Sequence, residues 1–508
     1  MQALESSRRN FIKAGLAAIG ALSAGGVTAQ GKVNHKFDKI VDVIVVGSGF
    51  AGLAAALEAA EKGASVLLLE KMPVFGGNSA INGGAFAVAG SPLQEKEGIK
   101  DSPELMLQDM IKSGRGLSHV DLLKNIVYCT RPAFDFTVKY GVKYKPFVQH
   151  FGGHSVPRIM QTVESTGGGI TRPLVEAARK QGVDLHASAA MEDFIRDENG
   201  RVIGLVVREK FNFPQKDSGV VLNYGARKGI VIASGGFSQN VQFRKAIDPS
   251  LDEKLESTNH PGATGECLMA MLALGAMPIQ LDQIQLGPWS SPDERGFGLV
   301  SQFNTIAGFP KGIMVDRRTG RRFVDELADR KARSDAILNQ IDENGKPVYP
   351  ICFVDSEGVK LAQTLKNGLK YGVIKKFDSL EELAKAYGIP ADNLIKQVNE
   401  FNEYVRNGKD EQFNRPLALA VEIAKAPFYA ARVWPKVHYC MGGVAINNKA
   451  QVLSVRDLKP IPGLYAAGEV TGGTHGASRS GGCAIADGLV TGRTAGAQVA
   501  AEPSQNLS

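Results

Sequence analysis

The sequence predicts an α/β fold whose core is a Rossmann-like dinucleotide-binding domain. The stretch 41–70 reads as strand, glycine turn, helix and second strand, which is the order of a βαβ unit. Two later strands, at 229–237 and 463–470, also run into glycines. Glycine is abundant, at 58 of 508 residues, which is typical of folds with many tight turns and close backbone approaches.

The βαβ unit begins at Val41–Val46, a β-branched run typical of a buried parallel strand. The turn Gly47–Gly52 follows with GxGxxG spacing, and the Ala-rich segment 53–62 predicts a helix. A second strand over 65–69 ends at Glu70, where this motif is expected to carry an acid. Strand, turn, helix and acid therefore all stand in the order that dinucleotide binding requires.

These residue types indicate how the turn would bind its ligand. Glycines permit the tight turn and let the backbone approach a pyrophosphate, which is favoured at the N-terminus of the following helix. The carboxylate of Glu70 is expected to accept hydrogen bonds from a ribose. The alternative is a glycine-rich turn without a ligand, which the flanking strand, helix and acid disfavour.

The next segment favours a flavin nucleotide over a nicotinamide nucleotide. Lys71–Ser79 and Asn82–Gly84 form a second glycine-rich loop directly after the second strand, suited to wrapping a flavin. Because 229–237 and 463–470 repeat the strand-to-glycine junction far downstream, we expect the cofactor domain to be assembled from distant segments.

The first 29 residues have the layout of a secretory leader. Arg8 and Arg9 form a twin-arginine pattern, a weakly apolar stretch follows at 14–24, and small residues precede Gln30. We expect export through the Tat system to the periplasm. The alternative is an amphipathic N-terminal helix.

Composition excludes several classes of protein. The net charge of +7 is spread thinly, without a Lys/Arg block, so we expect no nucleic-acid partner. Beyond the leader, no apolar run approaches the roughly 18 residues of a membrane span, so we expect no integral membrane segment. Five cysteines without CxxC spacing predict neither a disulfide framework nor a metal site.

Motifs in a fixed order carry a family resemblance. They are the turn 47–52 with Glu70, Gly77-Asn78-Ser79, Ala233–Phe237, His438–Gly443, and Gly468–Gly482 with its His475-Gly476-Ala477-Ser478-Arg479 run. Over residues 40–500 the chain resembles the fumarate reductase/succinate dehydrogenase flavoprotein family. The likeness is strongest to the soluble flavocytochrome c fumarate reductases and their urocanate- and methacrylate-reducing relatives. Those relatives often carry a haem domain that this sequence lacks, so the resemblance implies a separate c-type cytochrome as electron donor.

The resemblance implies a non-covalent FAD and an α+β capping domain inserted into the Rossmann-like domain. The expected order is a Tat leader at 1–29, the FAD-binding domain at 30–285, the cap at 286–438, the second part of the FAD-binding domain at 439–502 and a tail at 503–508. Within the cap, Ser379 predicts a helix N-cap, and another helix is expected from Asp392 to Val405.

The resemblance also implies which residues bind the cofactor. They are Gly47, Gly49, Ala51, Gly52, Glu70, Lys71, Gly77, Asn78, Ser79, Gly84, Gly235, Glu266, Glu469, Ala484 and Ile485. The last two, together with Gly482, open a predicted helix whose positive N-terminal end is expected to face the flavin.

In this family, the arginine of a motif like Arg322–Arg330 donates the proton, so Arg330 is the candidate catalytic acid. Arginine is normally too basic for this role. A crowded cationic site, with a carbanion developing nearby, can however draw off its proton. From residue types alone, the alternative is a surface arginine in a charged loop.

His438 and Arg479, with the backbone of Gly482, match the substrate-binding residues of the family. A guanidinium binds a carboxylate bidentately and an imidazole adds a donor. Drawing charge off the carboxylate also polarises the double bond towards hydride attack. The alternatives are a core histidine at His438 and an ion pair between Arg479 and Glu469.

One end of the expected substrate site departs from the fumarate pattern. Gly287 stands where the family has a histidine that binds the second carboxylate. Asn304-Thr305 falls near the family's Thr-Glu pair, so the usual proton-feeding glutamate is absent. Glu294, Arg295 and Lys311 remain open as its replacement.

Three aromatic residues, Trp289, Phe297 and Phe303, lie in or near the same stretch. They favour a methyl-bearing, aryl or imidazole enoate over a dicarboxylate, or else they pack the core of the cap. The sequence therefore predicts an exported FAD enzyme that reduces a small α,β-unsaturated carboxylate. Two alternatives stay open: a dehydrogenase or oxidase of the same fold, such as a Δ1-ketosteroid type, and a flavin electron carrier without its own substrate.

Overall fold

The computed structural model describes residues 36–507, so the predicted leader lies outside the described residues. Between these bounds, no helix is both long and apolar enough to cross a bilayer. All five cysteines are free thiols, and Cys352, Cys440 and Cys483 are buried.

The core of the molecule is a sheet in which the three predicted strand-to-glycine junctions lie side by side. Its strands are, in spatial order, Gln451–Leu453, Pro460–Ala466, Val220–Ile232, Lys39–Val46, Val66–Glu70 and Asp184–Ala187, with Ala190–Arg196 and Val202–Glu209 attached through the strand 220–232. The four central strands are parallel. This one sheet is therefore assembled from distant segments, and the α/β fold class is confirmed.

The first layer also contains helices. They are Phe50–Glu61, Gly77–Ile81, Pro92–Glu97, Pro103–Ser113, Val120–Lys139, Gly168–Lys180, Val241–Ile247, Glu266–Ala273 and Cys483–Ala500, with a 3₁₀ turn at Gly468–Val470. Smaller antiparallel pairings join Ala85–Ala87, Ile159–Thr162 and Tyr144–Gln149, and separately Pro278–Ile279 with Gly443–Val444.

The first and last of these helices lie unusually close together. A Cβ atom built at Gly492 or Gly496 would stand 2.3 Å from the carbonyl oxygen of Ala51 or Ala55. Only glycine permits this approach. The N-terminal ends of the helices 50–61 and 483–500 are thereby brought to the same end of the sheet.

A second layer lies between residues 286 and 438 and has its own core. Its antiparallel sheet has the spatial order Arg321–Arg322, Ile313–Asp316, Ile351–Val354, Phe428–Arg432 and Lys375–Phe377. Its helices are Gly298–Phe303, the π-helical turn Asn304–Gly308, Phe309–Lys311, Arg330–Leu338, Leu365–Lys370, Leu380–Tyr387 and Ala391–Asn407. The Ser379 side chain caps the helix 380–387, as predicted.

Two chain crossings and a buried ion cluster define this layer. The strand Ile284–Gly287 enters it and pairs with Lys436–Cys440, which leaves it. Inside, the buried Glu326 carboxylate accepts hydrogen bonds from both Arg322 and Arg415. Because the crossing strands lie against the sheet of the first layer, residues near 285 and 438 stand between the two layers.

Candidate functional site

A cavity of about 540 Å³ lies between the two layers, at the carboxyl ends of the parallel strands. In open α/β sheets this is the edge at which ligands bind. The cavity extends from the first glycine turn and Glu70 to Arg330, His438 and Arg479. Residues predicted to bind cofactor and residues predicted to bind substrate therefore line one continuous space.

At one end of the cavity, Glu70 is fixed by the first turn. Its Oε2 atom accepts hydrogen bonds from the Ser48 amide (3.2 Å) and hydroxyl (2.5 Å), and its Oε1 atom accepts from the Met72 amide (2.9 Å). Gly47 has a φ of 102°, and a Cβ at Gly52 would stand 1.8 Å from the Gly47 carbonyl oxygen. The turn therefore requires glycine at both positions.

The second glycine-rich loop, at 71–84, contacts the start of the helix 50–61. Ser79 Oγ accepts a hydrogen bond from the Phe50 amide (3.0 Å), and Asn78 Oδ1 accepts one from the His260 amide (2.9 Å). Lys71 Nζ donates to Glu266 Oε2 at 2.9 Å, which links this loop to the helix 266–273. Segments far apart in sequence are thus joined around the cavity.

Most of the predicted cofactor-binding residues line the cavity. They are Gly47, Gly49, Ala51, Glu70, Lys71, Gly77, Asn78, Ser79, Gly235, Glu266, Glu469, Ala484 and Ile485. Gly52 and Gly84 do not line it. A Cβ at Gly84 would stand 2.4 Å from Thr162 Oγ1 and from the Thr166 carbonyl oxygen, so the position serves close packing.

These residues fit an FAD. The helix 50–61 begins at Gly49 and the helix 483–500 at Gly482, and neither has a side-chain N-cap hydrogen bond. The Phe50 amide is bound to Ser79 and the Cys483 amide to the Ser480 carbonyl, so the next amides of each helix and its positive dipole end are available to a pyrophosphate and to the polar edge of a flavin. Glu70 retains acceptor capacity for a ribose.

The backbone that precedes the helix 483–500 is fixed by a hydrogen bond to a buried histidine. Arg158 Nη1 donates to His154 Nδ1 at 3.2 Å, so His154 carries its hydrogen on Nε2 and donates it to the Gly481 carbonyl at 2.7 Å. Burial lowers the pKa of His154 to about 3, so the ring stays neutral. The Gly482 carbonyl in turn accepts from the Ala87 amide at 3.3 Å, which fixes the peptide beside the substrate residues.

Arg330 begins the helix 330–338 and lines the cavity. Its Nη1 atom donates to Gln285 Oε1 at 2.9 Å, and its guanidinium carbon lies 4.4 Å from the centroid of the Trp289 ring. Burial, with Arg479 and Arg333 nearby, holds the pKa of Arg330 well below its usual value. The side chain is therefore in the cavity wall, not on the outer surface of a charged loop.

Arg479 is buried, and its contacts are with an aromatic ring and with backbone. Its guanidinium stacks on Tyr439, with the central carbon 4.4 Å from the ring centroid, and Nη1 donates to the Ser480 carbonyl at 3.2 Å. Its Nε atom has no hydrogen-bond partner among the described residues. Burial lowers the pKa of Arg479. Within residues 36–507, no ion pair joins Arg479 to Glu469 or to another carboxylate.

Glu469 is instead bound to backbone. Its Oε1 atom accepts a hydrogen bond from the Cys440 amide at 3.0 Å. Burial raises the pKa of this carboxyl to about 7, against the opposing effects of the Cys440 amide and of Arg479. It lines the cavity beside the glycine junction at 235–236.

His438 lies between these groups and is held by Thr258, whose Oγ1 is 2.7 Å from His438 Nδ1. Burial, with Arg330 and Arg479 nearby, holds the pKa of His438 well below 6.5, so the ring is neutral. The Thr258 hydroxyl can donate to Nδ1, and the imidazole hydrogen then stands on Nε2, the tautomer that can donate to a carboxylate. The side chain lines the cavity instead of being enclosed in the core.

Two residues of this site were not identified from the sequence. Gln285 accepts from Arg330 and donates to the Arg479 carbonyl (3.2 Å), so it bridges the two arginines. Arg333 is buried one helical turn after Arg330 and lines the cavity, and burial lowers its pKa to about 10. The sequence could have indicated Arg333, because residues 330 and 333 of a helix lie on the same face. No feature of the sequence indicated that Gln285 belongs to the site.

The residues left open as proton suppliers lie elsewhere. Glu294 caps the helix 298–303 by accepting from the amides of Leu299 and Val300, each at 2.7 Å. Glu294, Arg295 and Lys311 are not among the residues that line the cavity.

Trp289, Phe297 and Phe303 were expected either to line the substrate site or to pack the core of the second layer. Trp289 and Phe297 line the cavity, whereas Phe303 is fully buried in an apolar cluster of the second layer with Val300 and Ala307.

Comparison with known proteins supports an FAD site in this chain. A family profile described as FAD binding domain matches residues 42–485. The acrylate reductase flavoprotein subunit of Shewanella woodyi is 48% identical over 96% of this chain and 97% of its own length. The urocanate reductase of Eggerthella lenta is 36% identical over 91% of this chain and 75% of its own length. The open conformation of a flavocytochrome c3 fumarate reductase superposes with a TM-score of 0.72 and 32% identity, covering 95% of this chain and 80% of that structure.

The fold and the site together define an FAD-dependent oxidoreductase. The glycine turn, Glu70 and the two open helix ends supply the flavin site, and a cluster of cationic and imidazole side chains lies at the other end of the same cavity. The chain belongs to the fumarate reductase flavoprotein family.

Proposed function

We propose that this enzyme reduces the carbon–carbon double bond of a small α,β-unsaturated carboxylate. The observation that carries the proposal is the charge of the cavity. Arg330 and Arg479 both line it, and neither forms an ion pair with a carboxylate of the described chain. Buried positive charge without a partner is costly, so the site is suited to an anionic ligand.

Arg479 and His438 are placed to hold the substrate carboxylate. A guanidinium binds a carboxylate through two parallel hydrogen bonds, and Arg479 Nε has no partner within the described chain. The neutral His438 adds one donor without adding charge. Together they withdraw electron density from the carboxylate, which makes the conjugated double bond more electrophilic.

Arg330 is placed to deliver the proton. Gln285 orients its guanidinium, and Trp289 covers one of its faces. Burial beside two further arginines lowers the pKa of Arg330, which brings its acidity closer to that of a useful acid. When bound, FAD supplies the hydride, so one hydride and one proton saturate the bond.

The delivery of electrons and the location of the enzyme are part of the proposal. The twin-arginine segment supports a leader at 1–29 and export to the periplasm. A separate c-type cytochrome is the proposed electron donor. The name of the relative from Shewanella woodyi, a flavoprotein subunit, supports a separate partner subunit.

The experiment is an anaerobic assay with reduced viologen as electron donor and a panel of acrylate, methacrylate, fumarate, urocanate and cinnamate. Oxidation of the dye that depends on an enoate supports the proposal. Turnover of a 3-ketosteroid with an artificial acceptor, without turnover of any enoate, would favour the alternative dehydrogenase. Flavin reduction without turnover of any compound would favour the electron carrier.

A further inference from the structure

Trp289 stands at the centre of the substrate end of the cavity. It is 5% exposed, and its ring contacts both the Arg330 guanidinium and the His438 imidazole, the latter edge-on with 5.0 Å between ring centroids. Because the indole covers one face of Arg330, a substrate can approach that guanidinium only from the uncovered side.

The ring also fills the place of a side chain at position 287. A Cβ atom built at Gly287 would lie 3.2 Å from Cζ2 and 3.3 Å from Cε2 of Trp289. That separation is tighter than ordinary van der Waals contact, so the indole and a side chain at 287 compete for one space. At this end of the site, an apolar ring therefore stands where a polar side chain could otherwise project.

The loop that carries Trp289 is anchored at several points. Asn304 Nδ2 donates to the Trp289 carbonyl, and the Trp434 amide donates to the Ser290 carbonyl, each at 2.9 Å. The buried Lys436 ammonium binds the carbonyls of Glu294 and Gly296. These hydrogen bonds fix the backbone of the loop, and packing on Arg330 and His438 holds the ring itself.

The remaining wall is partly apolar and partly polar. Phe297, Ile306 and Phe309 are apolar, whereas Gln302 and Thr305 are polar. The charged residue here, Arg333, stacks on Phe309 and donates to the Glu326 carbonyl. Because polar groups also line this wall, the size of the Trp289 ring is the feature that limits the substrate here.

We propose that Trp289 is a specificity-determining residue that restricts the enzyme to enoates with small substituents on the double bond. This inference rests on the proposed function and narrows it. Aryl and imidazole enoates are expected to extend into the volume that the indole occupies. Acrylate and methacrylate are expected to leave the ring in place.

The test compares kcat/KM for acrylate, methacrylate and cinnamate in the wild-type holoenzyme, Trp289→Phe and Trp289→Ala. The wild type is expected to prefer acrylate and methacrylate over cinnamate by about 100-fold or more. Trp289→Ala should raise the cinnamate-to-acrylate ratio by roughly 10-fold or more, and Trp289→Phe by less, because more of the ring volume remains. Using a ratio cancels any general loss that follows from altered packing on Arg330.

Trp434→Phe is the matched control, since Trp434 is the second tryptophan of the chain and packs on Tyr349. It should leave the ratio unchanged. The inference is overturned if wild type reduces cinnamate as well as acrylate, or if both Trp289 variants retain bound flavin and the wild-type ratio. If wild type reduces acrylate while the ratio fails to change, only the specificity inference falls. If wild type reduces no enoate, the proposed function falls with it.

Discussion

Replacing Arg330 by alanine removes the candidate acid and one positive charge from the substrate end of the cavity. Among residues 36–507 the side chain makes a single hydrogen bond, to Gln285, and it stacks on Trp289. Because it lines the cavity instead of filling the core, its loss leaves the apolar clusters of both layers intact. We therefore expect the variant to fold and to retain FAD.

The size of the effect follows from the two roles of the guanidinium. A positioned general acid contributes about 10²–10⁴-fold to the rate. A charge aimed at the developing negative charge contributes about 10²–10³-fold. The roles overlap in one group, so we expect kcat to fall by at least about 10⁴-fold, or about 5.4 kcal/mol.

The assay is enoate-dependent oxidation of reduced viologen, with the visible flavin spectrum as the measure of bound cofactor. Arg330→Lys keeps the charge but loses the planar guanidinium, so it should recover only part of the activity. Arg406→Ala is the control, since Arg406 is exposed and pairs with Glu422 at 2.6 Å on the second layer. A kcat of Arg330→Ala within tenfold of the wild type, with flavin bound, would refute the assignment of the acid.

Three further outcomes are expected. Thr258→Val removes the hydrogen-bond partner of His438 Nδ1. Initial-rate measurements should show KM for the enoate raised by about 10-fold, with a smaller change in kcat. An unchanged KM would mean that Thr258 does not position the imidazole. Glu326→Gln breaks the buried ion cluster and should lower the free energy of unfolding by about 3–5 kcal/mol in a denaturant titration, whereas the exposed Glu422→Gln should change it little. The rate of enoate reduction should fall as pH rises through the lowered pKa of Arg330, because only the protonated guanidinium can donate a proton. A reduction rate that keeps rising at high pH would contradict this expectation.

The parts of the fold that sequence could predict are those built from contiguous residues. The strand, glycine turn and helix at 39–61 form locally, since Gly47 must adopt a positive φ and Gly52 must contact its carbonyl. The helix 391–407 carries its own apolar periodicity and was expected within two residues of its observed ends. Such elements need no knowledge of distant contacts.

The parts that escaped prediction depend on contacts between distant segments. Gln285 meets Arg330 only because the crossing strand 284–287 lies beside the start of the helix 330–338. Glu294 resembled a proton supplier by residue type, but the backbone turn directs its carboxylate to the amides of a neighbouring helix. The Trp289 ring over Gly287 likewise arises from the shape of a loop, which residue types alone do not specify.

The central claim is that an enoate held by Arg479 and His438 takes up a hydride from the bound flavin and a proton from Arg330. Its most direct test is anaerobic stopped-flow mixing of the fully reduced holoenzyme with acrylate, followed by the visible flavin absorbance. We predict that the absorbance of oxidised flavin returns at least as fast as steady-state turnover, and about 10⁴-fold more slowly in Arg330→Ala. Flavin that stays reduced with acrylate, methacrylate and every other enoate of the panel would contradict the claim.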